Sequence, residues 1–173
     1  MRGLLSWLGY IFLSMVFFSQ MSGFTTSIPL LDNWRYTFGD NPLYAQEEYQ
    51  DHSWKVVQFP TTTFVFQGEE EPYTWLRKRF TLPLSLSNQK LGLYTGRIHD
   101  AVEIYLNGVL VGISGSQPPN LYFGTPHAPR GFLLPPEVVR YGGENLIAIR
   151  VYTHKTIGAF GEMVIAPYHE VKQ

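Results

Sequence analysis

The sequence predicts an all-β fold, a β-sandwich or jelly roll of about eight to nine strands. Beyond Trp34, apolar and polar residues alternate in many short segments, which clusters of Pro, Gly, Asn and Ser separate. No stretch with the helical period lasts longer than a turn or two. The 173 residues are 45% hydrophobic and 16% aromatic, with 16 Gly and 12 Pro. This composition is typical of one globular domain with many turns.

The first 27 residues have the pattern of an export signal. Arg2 precedes an almost continuous apolar run over residues 3–19, and small or polar residues follow as far as Ser27. The run is also close to the length of a membrane-spanning helix, so an uncleaved N-terminal anchor is the alternative. We therefore divide the chain into residues 1–27, a signal peptide or anchor, and residues 28–173, one β-sandwich domain. Either arrangement places the domain in the periplasm or outside the cell.

Nine strands are predicted in this domain. In chain order they cover residues 34–38, 53–59, 74–82, 90–98, 101–106, 109–114, 130–134, 144–154 and 162–168. Asn107 and Gly108 join two of them in a hairpin, because both residues tolerate the positive φ of a two-residue type I′ turn. A single helical turn is predicted in residues 135–143, with Pro136 at its start and Gly142 at its end.

Composition argues against several classes of function. The chain has 13 Lys+Arg against 14 Asp+Glu, a formal net charge of -1, and no basic stripe that would neutralise a phosphate backbone, so nucleic acid is not an expected partner. It has no cysteine, which excludes disulfides and thiolate chemistry. The histidines lack the spacing of a catalytic metal site. We expect no catalytic residues.

One candidate ligand site lies on the strand at residues 74–82. Alternation places Trp75, Arg77 and Arg79 on the face opposite the core. An aromatic plane beside guanidinium groups suits a sugar, which offers an apolar ring face and polar substituents. The alternative is a structural ladder in which a loop partly buries Trp75. Arg150 either joins this face or pairs with an acid such as Asp100.

A second candidate site lies at one end of the sandwich. The long loops at residues 115–130 and 154–161 are predicted to meet there, and loops on a rigid β scaffold are where binding residues concentrate. The candidate ligand-binding residues of these loops are Asn120, Tyr122, Arg130 and His154.

A structural calcium ion is the one metal that the sequence suggests. Asp40, Asn41 and Glu162 could supply the hard oxygen ligands that calcium prefers. We expect no other cofactor.

Four motifs follow one another in the order DHSWKVVQFP, TWLRKRF, DAVEIYLNGVLVG and GGENLIAIRVY. Together they resemble the N-terminal sugar-binding domain of family 2 glycoside hydrolases, a jelly roll of the galactose-binding-domain-like type. The match extends over about residues 32–168. Leu76 departs from the family pattern, because an aromatic residue usually follows the tryptophan there. The resemblance implies a β-sandwich that binds carbohydrate.

Residues 112–161 are also similar to the extracytoplasmic domains of spirochaete-like bacterial sensor proteins. The shared features are a Pro-Pro loop, an Arg-aromatic-x-x-Pro strand and a Gly-rich loop after the last long strand. In such proteins the module precedes membrane helices and a cytoplasmic output domain. This similarity implies a membrane sensor or an enzyme subunit as partner.

The family resemblance implies binding without hydrolysis. The two catalytic carboxylates of a glycosidase flank the scissile bond and, in this family, stand on a separate barrel. Such a barrel has roughly 250 residues, and only about 150 follow the export signal. We predict an exported, non-catalytic bacterial module that binds a carbohydrate or a similar small polar ligand. The alternative is a protein-interaction or structural module, accessory to a membrane sensor or a glycosidase complex, with no ligand of its own.

Overall fold

The computed structural model describes residues 27–59, 72–124, 130–153, 159–160 and 162–172, with residues 159 and 160 given as backbone only. These residues form two antiparallel sheets that face each other across one core, which confirms the all-β sandwich. No helix in the described part of the chain has both the length and the apolar character of a membrane-spanning segment.

The described strands are short and follow the predicted order. They are β1 (Ile28–Pro29), β2 (Trp34–Phe38), β3 (Lys55–Val57), β4 (Tyr73–Thr81), β5 (Leu91–Tyr94), β6 (Arg97–Ile98), β7 (Ala101–Leu106), β8 (Val109–Ser114), β9 (Gly131–Leu133), β10 (Glu144–Tyr152), β11 (Ala159–Phe160) and β12 (Val164–Pro167). Two 3-10 helices lie at Pro42–Ala45 and Leu84–Leu86, and helix α1 covers Tyr168–Val171.

The larger sheet has six strands in the order β3-β2-β4-β10-β7-β8, and the smaller one has four in the order β1-β12-β5-β9. Strands β11 and β6 form a separate two-stranded ladder. The two nine-residue strands β4 and β10 pair along their whole length at the centre of the large sheet. Side chains near the ends of β4 and β10 therefore occupy fixed positions.

The core lies between the two sheets. Leu76, Ile104 and Ile149 of the large sheet are fully buried, as are Leu93 and Ile165 of the small sheet. Burying such a side chain contributes about 1.5–3 kcal/mol. The core face of β4 is therefore the one that alternation predicts.

The turn between β7 and β8 is confirmed as a type I′ turn. Asn107 has a φ of 50° and Gly108 a φ of 82°, which is the pair of positive values that this turn requires. The Asn107 side chain also accepts a hydrogen bond from the Leu146 N–H at 2.8 Å and donates one to the Val138 carbonyl at 2.8 Å. The asparagine thus ties the turn to strand β10.

The structure differs from the sequence prediction in its helices, since neither 3-10 helix was predicted, and in one strand. Residues 135–143 contain a hydrogen-bonded turn, in which Val138 and Val139 donate to the Pro135 carbonyl at 2.9 and 3.2 Å, and no helix. Helix α1 was not predicted, because four residues are too few to show a helical period. The strand expected over residues 90–98 is divided into β5 and β6, since Gly96 has a φ of 59°.

Candidate functional site

The outer face of the six-stranded sheet is not open over Trp75. Residues 41–54, which we call the covering segment, lie across it and form a second small core. The Tyr44 ring stands edge-on to Trp75 with 5.9 Å between ring centroids, and to Trp54 with 4.9 Å. Only 1% of Trp75 is exposed. Of the two alternatives for Trp75, the structure therefore supports the ladder that a loop covers, and it contradicts an exposed stacking plane.

Arg77 is also buried and holds the covering segment in place. Its Nε donates to Asp51 Oδ2 at 2.9 Å, and its two Nη atoms donate to the carbonyls of Tyr44, Gln46 and Tyr49 at 2.5, 2.9 and 3.2 Å. Burial lowers the pKa of Arg77, and the charge of Asp51 works in the opposite direction. With its N–H groups engaged in this way, Arg77 has a structural role and gives no open ligand surface.

Arg79 lies farther along the same face, where the sheet is exposed. Its Nη1 donates to Glu144 Oε1 at 2.9 Å and its Nη2 to the Glu47 carbonyl at 2.8 Å. The Glu47 carboxylate accepts two hydrogen bonds from Arg140, and these are the main reason why the pKa of Glu47 is lowered. The structure thus places Arg79 in a surface ion-pair network. It lies apart from the end of the sandwich at which the second candidate site was predicted.

Arg150 lies near the opposite end of this face, in a network of acids. Its Nε and Nη2 donate to Asp40 Oδ1 and Oδ2 at 2.7 and 2.5 Å, and its Nη1 donates to Glu103 Oε2 at 3.1 Å. The guanidinium carbon stands 4.3 Å from the Tyr73 ring centroid. Burial disfavours the charge, but the hydrogen bonds and charges of Asp40 and Glu103 outweigh it and raise the pKa of Arg150. Its ion-pair partners are Asp40 and Glu103.

Three tyrosines line the same end of the sheet. The Tyr152 ring centroid is 5.2 Å from that of Tyr73 and 5.4 Å from that of Tyr122. The Tyr122 hydroxyl donates to Asp100 Oδ2 at 2.7 Å. Burial, followed by this hydrogen bond, raises the pKa of Tyr122 to about 12. Tyr122 is therefore a neutral hydrogen-bond donor at physiological pH.

The loop after β8 packs its base on this cluster and exposes its tip. The Gln117 Nε2 donates to Glu103 Oε1 at 2.6 Å, and the Tyr73 hydroxyl donates to the Pro118 carbonyl at 3.4 Å. At the tip, 91% of Leu121 is exposed, and 65% of Phe123 is exposed at the base, where its backbone pairs with Ser116. A rigid base with an apolar, accessible tip is a common arrangement for binding.

We call this group the terminal cluster. Its members share the end of the outer sheet face at which β10 meets the loop after β8, and they are Asp40, Tyr73, Asp100, Glu103, Gln117, Tyr122, Arg150 and Tyr152. Asn120 is exposed on the adjoining loop. Of the predicted ligand-binding residues, the structure thus brings together Asn120, Tyr122 and Arg150.

Arg130, another predicted residue, lies behind this cluster. Arg130 is buried, and its Nη2 donates to the Asp100 carbonyl at 3.1 Å. Burial lowers the pKa of Arg130, and Asp100 opposes this effect. Arg130 therefore supports Asp100 from within the fold. His154 lies outside the described residues.

The three predicted calcium ligands have different surroundings. Both carboxylate oxygens of Asp40 accept from Arg150, and Asn41 Oδ1 accepts from the Leu43 N–H at 3.0 Å. Among the described residues, no group of three or more His, Asp or Glu side chains could hold a metal ion. The calcium ion stays a prediction that the placement of Asp40 and Asn41 does not support.

No family model matches the sequence. A β-glucuronidase of Formosa agariphila is 28% identical over 134 residues, which are 69% of this chain and 12% of that protein. Among solved structures, a Bacteroides uniformis β-glucuronidase superposes with a TM-score of 0.67 at 15% identity, over 81% of this chain and 17% of the other. A glycosyl hydrolase family 2 member from Bacteroides cellulosilyticus gives 0.64 at 18% identity, over 81% and 20%.

The chain resembles one domain of family 2 glycoside hydrolases. The resemblance that the four motifs indicate is thus confirmed, and so is the sandwich fold. The chain spans only 12% of the length of the Formosa relative. None of these comparisons tests the similarity to sensor proteins, which stays a prediction.

Sequence reasoning missed Asp51 and Glu103 as organising residues. Glu103 stands directly opposite Arg150 in the pairing of β7 with β10, and a cross-strand acid and base are expected to pair. The register between the two strands would have revealed this contact, but a sequence without an alignment does not fix a register. Asp51 lies in an irregular segment, where no periodicity indicates its direction.

Proposed function

We propose that this chain is a non-catalytic, exported carbohydrate-binding domain, and that the terminal cluster with its loop is the binding site. The observation that carries the proposal is the contact of the Tyr122 and Tyr152 rings beside hydrogen-bonding side chains at the end of the sheet, with the exposed Phe123 next in the chain. Aromatic rings can stack on the apolar face of a sugar, while the neighbouring polar groups orient its hydroxyls.

The comparisons support a role beside a glycosidase. The relatives are named as β-glucuronidases or family 2 hydrolases, and this chain corresponds to 12–20% of their length. Glycoside hydrolysis requires two carboxyl groups that flank the scissile bond. In the terminal cluster, Asp40 and Glu103 are instead held in ion pairs with Arg150. This engagement supports binding without hydrolysis.

The test is a titration of the purified domain with methyl glycosides and short oligosaccharides, including glucuronides, followed by calorimetry or ligand-observed NMR. Replacing Phe123 by Ala should weaken binding by about tenfold, because a stacking plane is worth about 1.4 kcal/mol. The matched control is Leu84→Ala, which removes a comparably exposed apolar side chain. Leu84 is 67% exposed and lies on the 3-10 helix at Leu84–Leu86. If folded Phe123→Ala binds with unchanged affinity, Phe123 is not part of the binding site.

A second candidate function is favoured by a different surface. Strand β8 lies at the edge of the large sheet, and its side chains Val109, Leu110 and Ile113 are 48%, 45% and 60% exposed. An apolar edge strand is suited to pairing with another protein. If the chain is instead an interaction module, Ile113→Lys should abolish binding to its partner or to a second copy, which sedimentation would measure, and the glycan panel should give no ligand.

A further inference from the structure

We propose that the terminal cluster selects neutral and amino sugars and rejects uronic acids. The inference rests on the carbohydrate binding proposed above and specifies its ligand class. Its basis is the balance of charges and of hydrogen-bond donors and acceptors around Tyr122 and Tyr152.

Carboxylates outnumber cations in the described part of the cluster. Asp40, Asp100 and Glu103 face two guanidinium groups, those of Arg150 and the buried Arg130. Counted over the described residues, the site that an incoming carboxylate would enter thus has an excess of one negative charge. Partial exclusion of water would strengthen the repulsion, since charges interact more strongly at low dielectric constant.

The cation that would otherwise attract a uronic acid is already engaged. Three of the Arg150 nitrogen atoms donate to Asp40 and Glu103, and the face of its guanidinium lies against Tyr73. A ligand carboxylate would have to displace Asp40 or Glu103 from these bidentate and single hydrogen bonds. Such an exchange would replace charge-assisted hydrogen bonds of Asp40 or Glu103 with bonds of the same kind to the ligand. It therefore gives no net gain in binding free energy.

The neighbouring side chains call for donors. Gln117 commits its Nε2 to Glu103, while its buried Oε1 has no hydrogen-bond partner among the described residues. The Tyr105 hydroxyl likewise donates to Glu103 Oε2 at 2.7 Å. The partly exposed carboxylates of Asp100 and Glu103 are acceptors, and they are complementary to sugar hydroxyls, which donate, and to the ammonium group of an amino sugar.

The experiment compares matched probes on the whole chain. The methyl glycosides of glucose, galactose and mannose are titrated beside the corresponding methyl uronides, which differ only in carrying a carboxylate at C6, and beside the free amino sugars. We expect each bound neutral glycoside to have a dissociation constant about tenfold lower than that of its uronide, and added salt to reduce the difference. Equal or tighter binding of the uronides would overturn this inference and leave carbohydrate binding intact.

The variants identify the charges responsible. Glu103→Gln and Asp100→Asn each remove one negative charge at nearly constant shape, so either folded variant should bind uronides more tightly relative to neutral glycosides. The matched control is Glu144→Gln, an acid at the far end of β10 that pairs with Arg79 and should leave the preference unchanged. If both folded variants still prefer neutral glycosides to uronides as strongly as the parent does, the inference is contradicted. If no sugar of any class binds, the proposed function fails and this inference fails with it.

Discussion

At the residue scale, Arg77 shows how a polar side chain can organise a second core. Its guanidinium contacts Asp51 and three backbone carbonyls of the covering segment while being 1% exposed. A buried charge of this kind is stable only with its partners, and removing one partner leaves the others without compensation. The residue that the sequence indicated for binding is thus needed to hold residues 41–54 on the sheet.

Arg77→Ala should destabilise the fold by about 3–5 kcal/mol, because it leaves Asp51 and the carbonyls buried without donors. Arg77→Lys should recover only part of this loss, since an ammonium group does not reproduce the guanidinium fork. Urea denaturation measures both changes. Arg140→Lys, at an exposed ion pair, is the control and should change stability by less than about 1 kcal/mol. A similar midpoint for parent and Arg77→Ala would mean that the covering segment is held by its aromatic contacts alone.

A second residue-scale prediction concerns acid. The hydrogen bonds from Arg140 lower the pKa of Glu47 in the folded protein below its usual 4.5. The folded state therefore binds this proton less readily than the unfolded state does, so the contribution is complete above the unfolded pKa and is lost as pH falls through the folded one. Melting temperatures of parent and Glu47→Gln should differ near neutral pH and converge toward pH 3. If the two melting temperatures differ by the same amount over this whole pH range, the lowered pKa of Glu47 is contradicted.

At the element scale, strands were predictable and the short helix was not. Each predicted strand overlaps an observed one, because period-2 alternation and Gly or Asn turns are local signals. The strands β7 and β8, on the two sides of Asn107-Gly108, have the bounds that the sequence predicts. Helix α1 depends instead on a distant contact, since its Val171 packs on the glycines of β5 and β9. A contact of this kind leaves no periodic trace in the sequence.

The packing of α1 gives an element-scale prediction. A Cβ atom at Gly131 would overlap the backbone carbonyl of Val171, and backbone cannot rotate away as a flexible side chain can. We expect Gly131→Ala to displace α1 and to destabilise the protein by about 1–3 kcal/mol, a typical cost of overpacking. The control is Gly143→Ala, whose nearest neighbour is Arg140 Cβ at an ordinary 3.7 Å. An equal, small effect of the two substitutions would show that α1 is not closely seated on β9.

At the scale of the whole molecule, the sequence predicted the sandwich correctly and left open whether a loop covers Trp75. Four ordered motifs indicated the fold, and the fold needs only the pattern of apolar residues. The exposure of Trp75 and Arg77 depended on whether a third layer covers the sheet. Residues 41–54 have no strand or helix period of useful length, so no local signal identified them as the loop that covers Trp75. Tyr122 was proposed from its place in a long loop at one end of the sandwich, and Arg150 from its face of the sheet; their roles in binding stay predictions.

Export is a prediction about the whole chain. We expect mass spectrometry of the protein recovered from its native host to show a mature N-terminus near residue 28, because the apolar run at residues 3–19 is followed by a small-residue zone. Processing should be lost when charged residues interrupt the run. An intact N-terminus that fractionates with membranes would instead support the anchor.

The covering segment also has a consequence for how the protein opens. To detach, residues 41–54 would have to break the hydrogen bond between Asp51 and Arg77 and the ring contact between Tyr44 and Trp75 together, since the segment buries both. Partial detachment would leave the Arg77 charge buried without its partner. Partly detached states of the segment are therefore disfavoured. In native-state hydrogen exchange, the amides of this irregular segment that are hydrogen bonded, such as those of Tyr44 and Trp54, should exchange with protection close to that of the central strands. A segment with one short 3-10 helix and otherwise irregular backbone thereby joins the most cooperative unit of the molecule.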